Sequence, residues 1–197
     1  MSRSFSNSIS KEEVTALPKV EFSGKIVVVS SEKELELWLP QLIFEKILGF
    51  DTETKPTFRK GELNSIALLQ LSNSSLALLI RLQHTGIPKP LLNFLQDPTI
   101  LKIGAAIRDD LKSLQKIKKF TPEGFIDLQS IVPQYGIEEL SVRKMAAIVL
   151  GKKVSKSQQL SNWNAPTLSE AQQQYAAIDA WVCREIYNKL ITSKLLK

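Results

Sequence analysis

Two carboxylates stand two residues apart in the run Ile47-Leu48-Gly49-Phe50-Asp51-Thr52-Glu53, whose other members are mostly apolar or glycine. On an extended strand, residues i and i+2 project from the same face, ~6.7 Å apart along the chain, so Asp51 and Glu53 can close on one cation. Two ionised carboxylates at the end of an apolar strand repel each other and lose hydration unless a cation or solvent neutralises them. The pair therefore reads either as a divalent-metal site or as a strand that ends at Phe50 with both acids solvated. A third acid stands in Gly104-Ala105-Ala106-Ile107-Arg108-Asp109-Asp110, where a short apolar run gives way to a helical pattern. At 100° per residue, Ile107, Leu111 and Leu114 form one stripe, with Asp110 on its margin and Asp109 on the far side. Asp110 is the inward candidate; the alternative is that both acids serve the positive end of the helix dipole, worth ~0.3–1 kcal/mol. Tyr175 and Asp179 lie four residues apart on a third segment, at helical spacing roughly 5–6 Å between Cβ atoms, so phenol and carboxylate address the same small volume. A core tyrosine hydrogen-bonded to an acid is the structural alternative.

The elements that must carry these groups can be read in order. Residues 1–20 mix serine, charge and Pro18 without periodicity and are expected as a flexible lead-in. Lys25–Val29 reads as a strand, and Ser31-Glu32-Lys33-Glu34 as a capping box opening a helix. The acidic strand follows, then a connection over Thr54–Gly61 and two apolar runs, Ile66–Leu71 and Leu76–Ile80, separated by Ser72-Asn73-Ser74-Ser75. The acidic strand and these two runs are expected to form an antiparallel meander. Leu91–Leu95 reads as helix and Ile100–Ile103 as a strand ending at Gly104; the remainder is mostly helical, interrupted at Phe125–Leu128. Thr167-Leu168-Ser169-Glu170 matches a second capping box, and Ala171, Tyr175, Ile178, Val182 and Ile186 mark one apolar face of the helix it opens. The order implies an α/β fold, a mixed sheet flanked by helices.

Taken together, Phe50-Asp51-Thr52-Glu53, Gly104 with Asp110, and Tyr175-Ala176-Ala177-Ile178-Asp179 resemble the three motifs of the DEDD superfamily of 3′–5′ exonucleases. The tyrosine four before the last aspartate marks the tyrosine subclass, which includes ribonuclease D and the Werner exonuclease domain. Ile66–Leu71 and Ser161-Asn162-Trp163 extend the similarity, which runs from about Lys25 to Leu190. The resemblance implies a ribonuclease-H-like fold over residues 21–197 and two-metal hydrolysis of a terminal phosphodiester. It implies Asp51, Glu53 and Asp179 around one metal, Asp51 and Asp110 around the second, and Tyr175 positioning the attacking water. Hard oxygen ligands favour Mg²⁺ or Mn²⁺ over zinc. A phenol with a pKa near 10 is a poor base at neutral pH, so the metal is expected to lower the pKa of the water. The single histidine, His84, lies in a polar stretch far from the last motif, so the histidine subclass does not fit.

The 197 residues are 43% hydrophobic, enough for one core, and carry 26 Lys and Arg against 20 Asp and Glu, a net charge of +6. That balance favours an anionic partner, and the resemblance implies that this is a nucleic acid with a free 3′ end. Lys112, Lys152, Lys153 and Lys156 are the candidate substrate contacts, although lysine clusters of this kind are more often simply a solvated face. Trp163 is readable either as a base-stacking platform or as core. Cys183 is the only cysteine, which excludes an intramolecular disulfide and a cysteine-rich zinc site. No run approaches the roughly 18 apolar residues of a membrane span; a cytoplasmic protein is expected. The chain ends soon after its last motif, so grip on a strand is expected to come from this domain or from a partner, and Ser161-Asn162-Trp163 tilts the expected substrate towards DNA. The competing reading is a non-catalytic nucleic-acid-binding or scaffold domain that retains the exonuclease fold.

Overall fold

The computed structural model describes residues 5–54 and 66–195, and within them the apolar runs pair into one six-stranded sheet. Its strands are β1 (Lys25–Val29), β2 (Ile47–Thr54), β3 (Ile66–Ser72), β4 (Leu76–Arg81), β5 (Leu101–Gly104) and β6 (Phe125–Asp127), in the order β1-β4-β3-β2-β5-β6. β2, β3 and β4 form the expected antiparallel meander, while β1 on β4, β5 on β2 and β6 on β5 are parallel. Asn73 closes the β3–β4 turn, its side-chain oxygen accepting from the N–H groups of Ser75 and Leu76. Most of the connection expected over Thr54–Gly61 lies outside the described residues.

The helices are α1 (Lys11–Ala16), α2 (Glu32–Leu42), α3 (Leu82–Thr85), α4 (Lys89–Leu95), α5 (Arg108–Ile117), α6 (Leu128–Ile131), α7 (Val142–Leu150) and α8 (Glu170–Leu195). They cover both faces of the sheet. Leu48 and Phe50 of β2 pack with Leu35 and Leu39 of α2, Leu91 and Phe94 of α4, and Leu114 of α5. Alternation along the strand turns Gly49, Asp51 and Glu53 to the opposite face, which α8 covers. There α8 lies so close to β2 that a Cβ on Gly49 would stand 1.8 Å from the carbonyl oxygen of Ala180.

Two features differ from the sequence reading. The segment read as a flexible lead-in carries α1, whose Ser10 and Glu13 complete a capping box. Val14 and Val20 are buried, and Lys19 bridges to Lys153, so apolar side chains tie down a stretch that lacks periodicity. The cap of α8 also falls two residues later than Thr167 and Glu170. Ser169 accepts from the Gln172 N–H, and the Gln172 side chain accepts from the Ser169 N–H. Ser-x-x-Gln overlaps Thr-x-x-Glu in the chain, and Gln172 prevails because it is buried and also donates to the Asn162 carbonyl.

Candidate active site

On the face of β2 covered by α8, Asp51, Glu53 and Asp179 bring one carboxylate oxygen each to within 4.8 Å of one another. The strand period aligns the first two, and the close seating of α8 at Ala180 delivers the third from the adjacent residue. Asp110 comes from the first turn of α5, and the Thr52 hydroxyl, between the two acids of β2, donates to it at 2.5 Å. The approach to α5 is set by Asp127, whose carboxylate accepts from the N–H groups of Ala106 and Ile107. Ala106 there takes a positive φ of 58°, a conformation rare for a residue with a Cβ. Periodicity placed the two acids of α5 correctly: Asp109 is exposed and paired with Lys112, while Asp110 is turned inward and partly buried.

None of these four carboxylates has an ion pair among the described residues. Burial, and then repulsion from Asp179, Glu53 and Asp110, pushes the Asp51 pKa well above the usual carboxylate range. Burial and the charges of Asp179 and Asp110 raise Glu53 to about 8, and burial raises Asp179 to about 7, with the Tyr175 phenol pulling the other way. Asp110 is raised by burial, opposed by its bond from Thr52. Tyr175 is pushed above its ordinary value by burial and by the neighbouring acids, which keeps the phenol protonated at neutral pH. Crowded, uncompensated oxygens of this kind fit a hard divalent cation, which would remove the repulsion that raises their pKa values.

A concavity of about 210 Å³ opens at Asp51 and Asp179, lined also by Tyr175, Arg143, Ser155 and Lys156. Of the four lysines singled out in the sequence, Lys156 lines this cavity. Lys153 lines a neighbouring one that shares Tyr175, and its ammonium donates to the Thr15 carbonyl. Lys152 lies in a third cavity beside Trp181 and Glu185, and Lys112 is engaged with Asp109. Trp163 is 1% exposed and packs at 6.0 Å against the Tyr175 ring, so it belongs to the core. His84 is exposed on α3. Arg143 and Asp127 were not singled out in the sequence; each meets the site only through the fold, and neither sits in a motif.

A family model described as 3′–5′ exonuclease matches residues 26–194. The human protein named exonuclease 3′–5′ domain-containing protein 2 is 32% identical over 184 residues, covering 85% of this chain and 29% of that protein. The EXO domain of Aedes aegypti Nibbler superposes with a TM-score of 0.79 at 23% identity, over 90% of this chain and 93% of that one. Escherichia coli RNase D superposes with a TM-score of 0.78 at 24% identity, over 87% and 46%. These two likenesses show the fold, the ribonuclease-H-like arrangement expected from the motifs. The chain spans 29%, 66% and 45% of the length of three curated relatives it matches.

Proposed function

Because this chain belongs to the 3′–5′ exonuclease family, we propose that it hydrolyses the last phosphodiester bond at a free 3′ end of a nucleic acid, with DNA favoured over RNA. The observation that carries this reading is the meeting of Asp51, Glu53 and Asp179 within 4.8 Å at a concavity shared with Tyr175. Asp51, Glu53 and Asp179 would hold one divalent cation, Mg²⁺ or Mn²⁺, and Asp51 with Asp110 a second. Bound there, such cations would supply activation of the attacking water and stabilisation of the leaving oxygen. Tyr175, kept protonated by its surroundings, donates a hydrogen bond that orients the attacking water. Thr52 fixes Asp110 against the strand that carries Asp51 and Glu53, so the second pair of ligands keeps its spacing. Lys156, which lines the same concavity, adds positive charge that would favour a phosphate backbone. The preference for DNA rests on Ser161-Asn162-Trp163 and its likeness to the Werner-type domain.

Digestion of matched 3′-labelled and 5′-labelled DNA and RNA strands with Mg²⁺, with Mn²⁺ and with chelator tests the reading. Stepwise shortening from the 3′ end is expected, faster on DNA, abolished by chelator and by Asp51→Asn or Asp179→Asn. Binding of strands without metal-dependent cleavage overturns it in favour of a binding domain.

A further inference from the structure

Arg143 stands on the first turn of α7 and lines the concavity together with Asp51 and Asp179. Its Nε is shut off from solvent and has no hydrogen-bond partner among the described residues. It forms no ion pair with the carboxylates that share the cavity. Two other arginines are held by protein acceptors, although the Nε of Arg81 is, like that of Arg143, buried without a partner. Arg81 donates to the carbonyls of Ala165 and Pro166, and Arg184 donates to the Ile47 carbonyl and pairs with Glu45 and Glu185. The Arg143 side chain is half-buried, and its terminal nitrogens, which have no acceptor among the described residues, are the donors open to an anion entering the cavity.

The charge balance says which anion. Four carboxylates would be matched by two dications, which leaves no surplus positive charge there, so a phosphate of the strand needs a cation from the rest of the cavity wall. A nucleic acid nonetheless brings a second phosphate into the same cavity, one linkage before the scissile one. The planar fork of an arginine, with five donors, matches phosphate oxygens better than the point charge of a lysine.

We propose that Arg143 binds the phosphodiester immediately 5′ of the scissile bond, with Lys156 beside it, and thereby sets which linkage lies over the acids. The proposal rests on the exonuclease reading above and goes beyond it by assigning the residue that fixes the register of the 3′ end.

The test pairs a change in the protein with a change in the strand. An oligonucleotide with one neutral methylphosphonate at that linkage is compared with the unmodified strand on the wild-type protein, Arg143→Gln and Arg143→Lys. Binding is read by fluorescence anisotropy in chelator, and kcat and KM by turnover in Mn²⁺. On the wild type the neutral linkage is expected to weaken binding and raise KM about tenfold, with kcat within about threefold, in line with loss of a charge-assisted contact. Arg143→Gln should show that loss on the unmodified strand and no further loss on the modified one, and Arg143→Lys should fall between. A methylphosphonate two linkages further from the end should leave the wild type unaffected, a control that needs no variant to fold. Equal losses on the wild type and Arg143→Gln, or no loss on the wild type, overturn the proposal. A binding cycle that closes as expected while no strand is shortened supports Arg143 and sinks the exonuclease reading instead.

Discussion

Glu53 and Asp179, raised to about 8 and about 7, bind protons in the folded, metal-free chain that the unfolded chain has already released. Below the ordinary carboxylate range both states are protonated and the stabilisation is fully present. As pH rises from about 4.5 towards 8, the unfolded state ionises first, so the folded state loses stability through that window. In chelator, the melting temperature should therefore fall between pH 5 and pH 8.5, and less steeply in Asp179→Asn, where one repelling charge is gone. Saturating Mn²⁺ should flatten the wild-type slope, because the cation takes the place of the protons. Thermal melts across that range check it; identical slopes for the two proteins in chelator would contradict the repulsion argued here. Tyr175→Phe removes only the hydroxyl, so kcat should drop by up to ~100-fold, as expected when an attacking group is misoriented. KM and Mn²⁺ affinity should stay near wild type, measured by steady-state kinetics and calorimetry.

At the scale of elements, the strands and the meander were legible because their apolar runs are short, β-branched or leucine-rich, and bounded by turn residues. Asp110 was legible for a similar reason, since a ten-residue amphipathic helix has only one buried stripe. The buried face of α8 was read less well. Ala171, expected on its apolar face, is exposed; Val182 and Ile186, also expected there, are fully buried, and beside them lie the buried small residues Ala176, Ala177, Ala180 and Cys183. A count of large apolar side chains misses a face made of small ones, and small ones are what allow the helix to rest backbone against backbone on β2. Gly49→Ala tests that contact. The added Cβ would meet a carbonyl oxygen, which cannot rotate aside, so α8 and β2 must separate. A loss of ~1–3 kcal/mol is expected from overpacking. Metal affinity should fall more than stability does, because Asp51 and Asp179 sit on the two parts forced apart. Calorimetry with Mn²⁺ beside a denaturant melt separates the two effects. Arg143 and Asp127 could not be read from any single element, since their partners come from other parts of the chain.

For the whole molecule, the net charge of +6 is a statement about encounter with a polyanion. Affinity for a DNA strand should decline linearly in log–log form with salt, and Lys156→Ala should reduce the magnitude of that slope by ~0.7–0.9, the share of one phosphate contact. Lys112→Ala should leave the slope unchanged, because its ammonium is engaged with Asp109 on an exposed helix face. Titrations at several salt concentrations decide between them. The seam at Gly49 and Ala180 has a kinetic consequence as well. β2 is an interior strand, between β3 and β5, and the middle of α8 is pinned to it. Their amides should exchange with deuterium only when the entire domain opens. The first turn of α5 is held towards the site by the Asp127 carboxylate and one Thr52 hydroxyl while Leu114 anchors the rest of the helix in the core, so that turn should open in smaller, more frequent excursions. Peptides covering β2 and residues 176–186 should then be the slowest to take up deuterium, and the first turn of α5 markedly faster. On the two-cation reading proposed above, such a molecule would lose and regain Asp110 many times while Asp51, Glu53 and Asp179 stay together, so a cation held by those three would be retained while one that depends on Asp110 came and went.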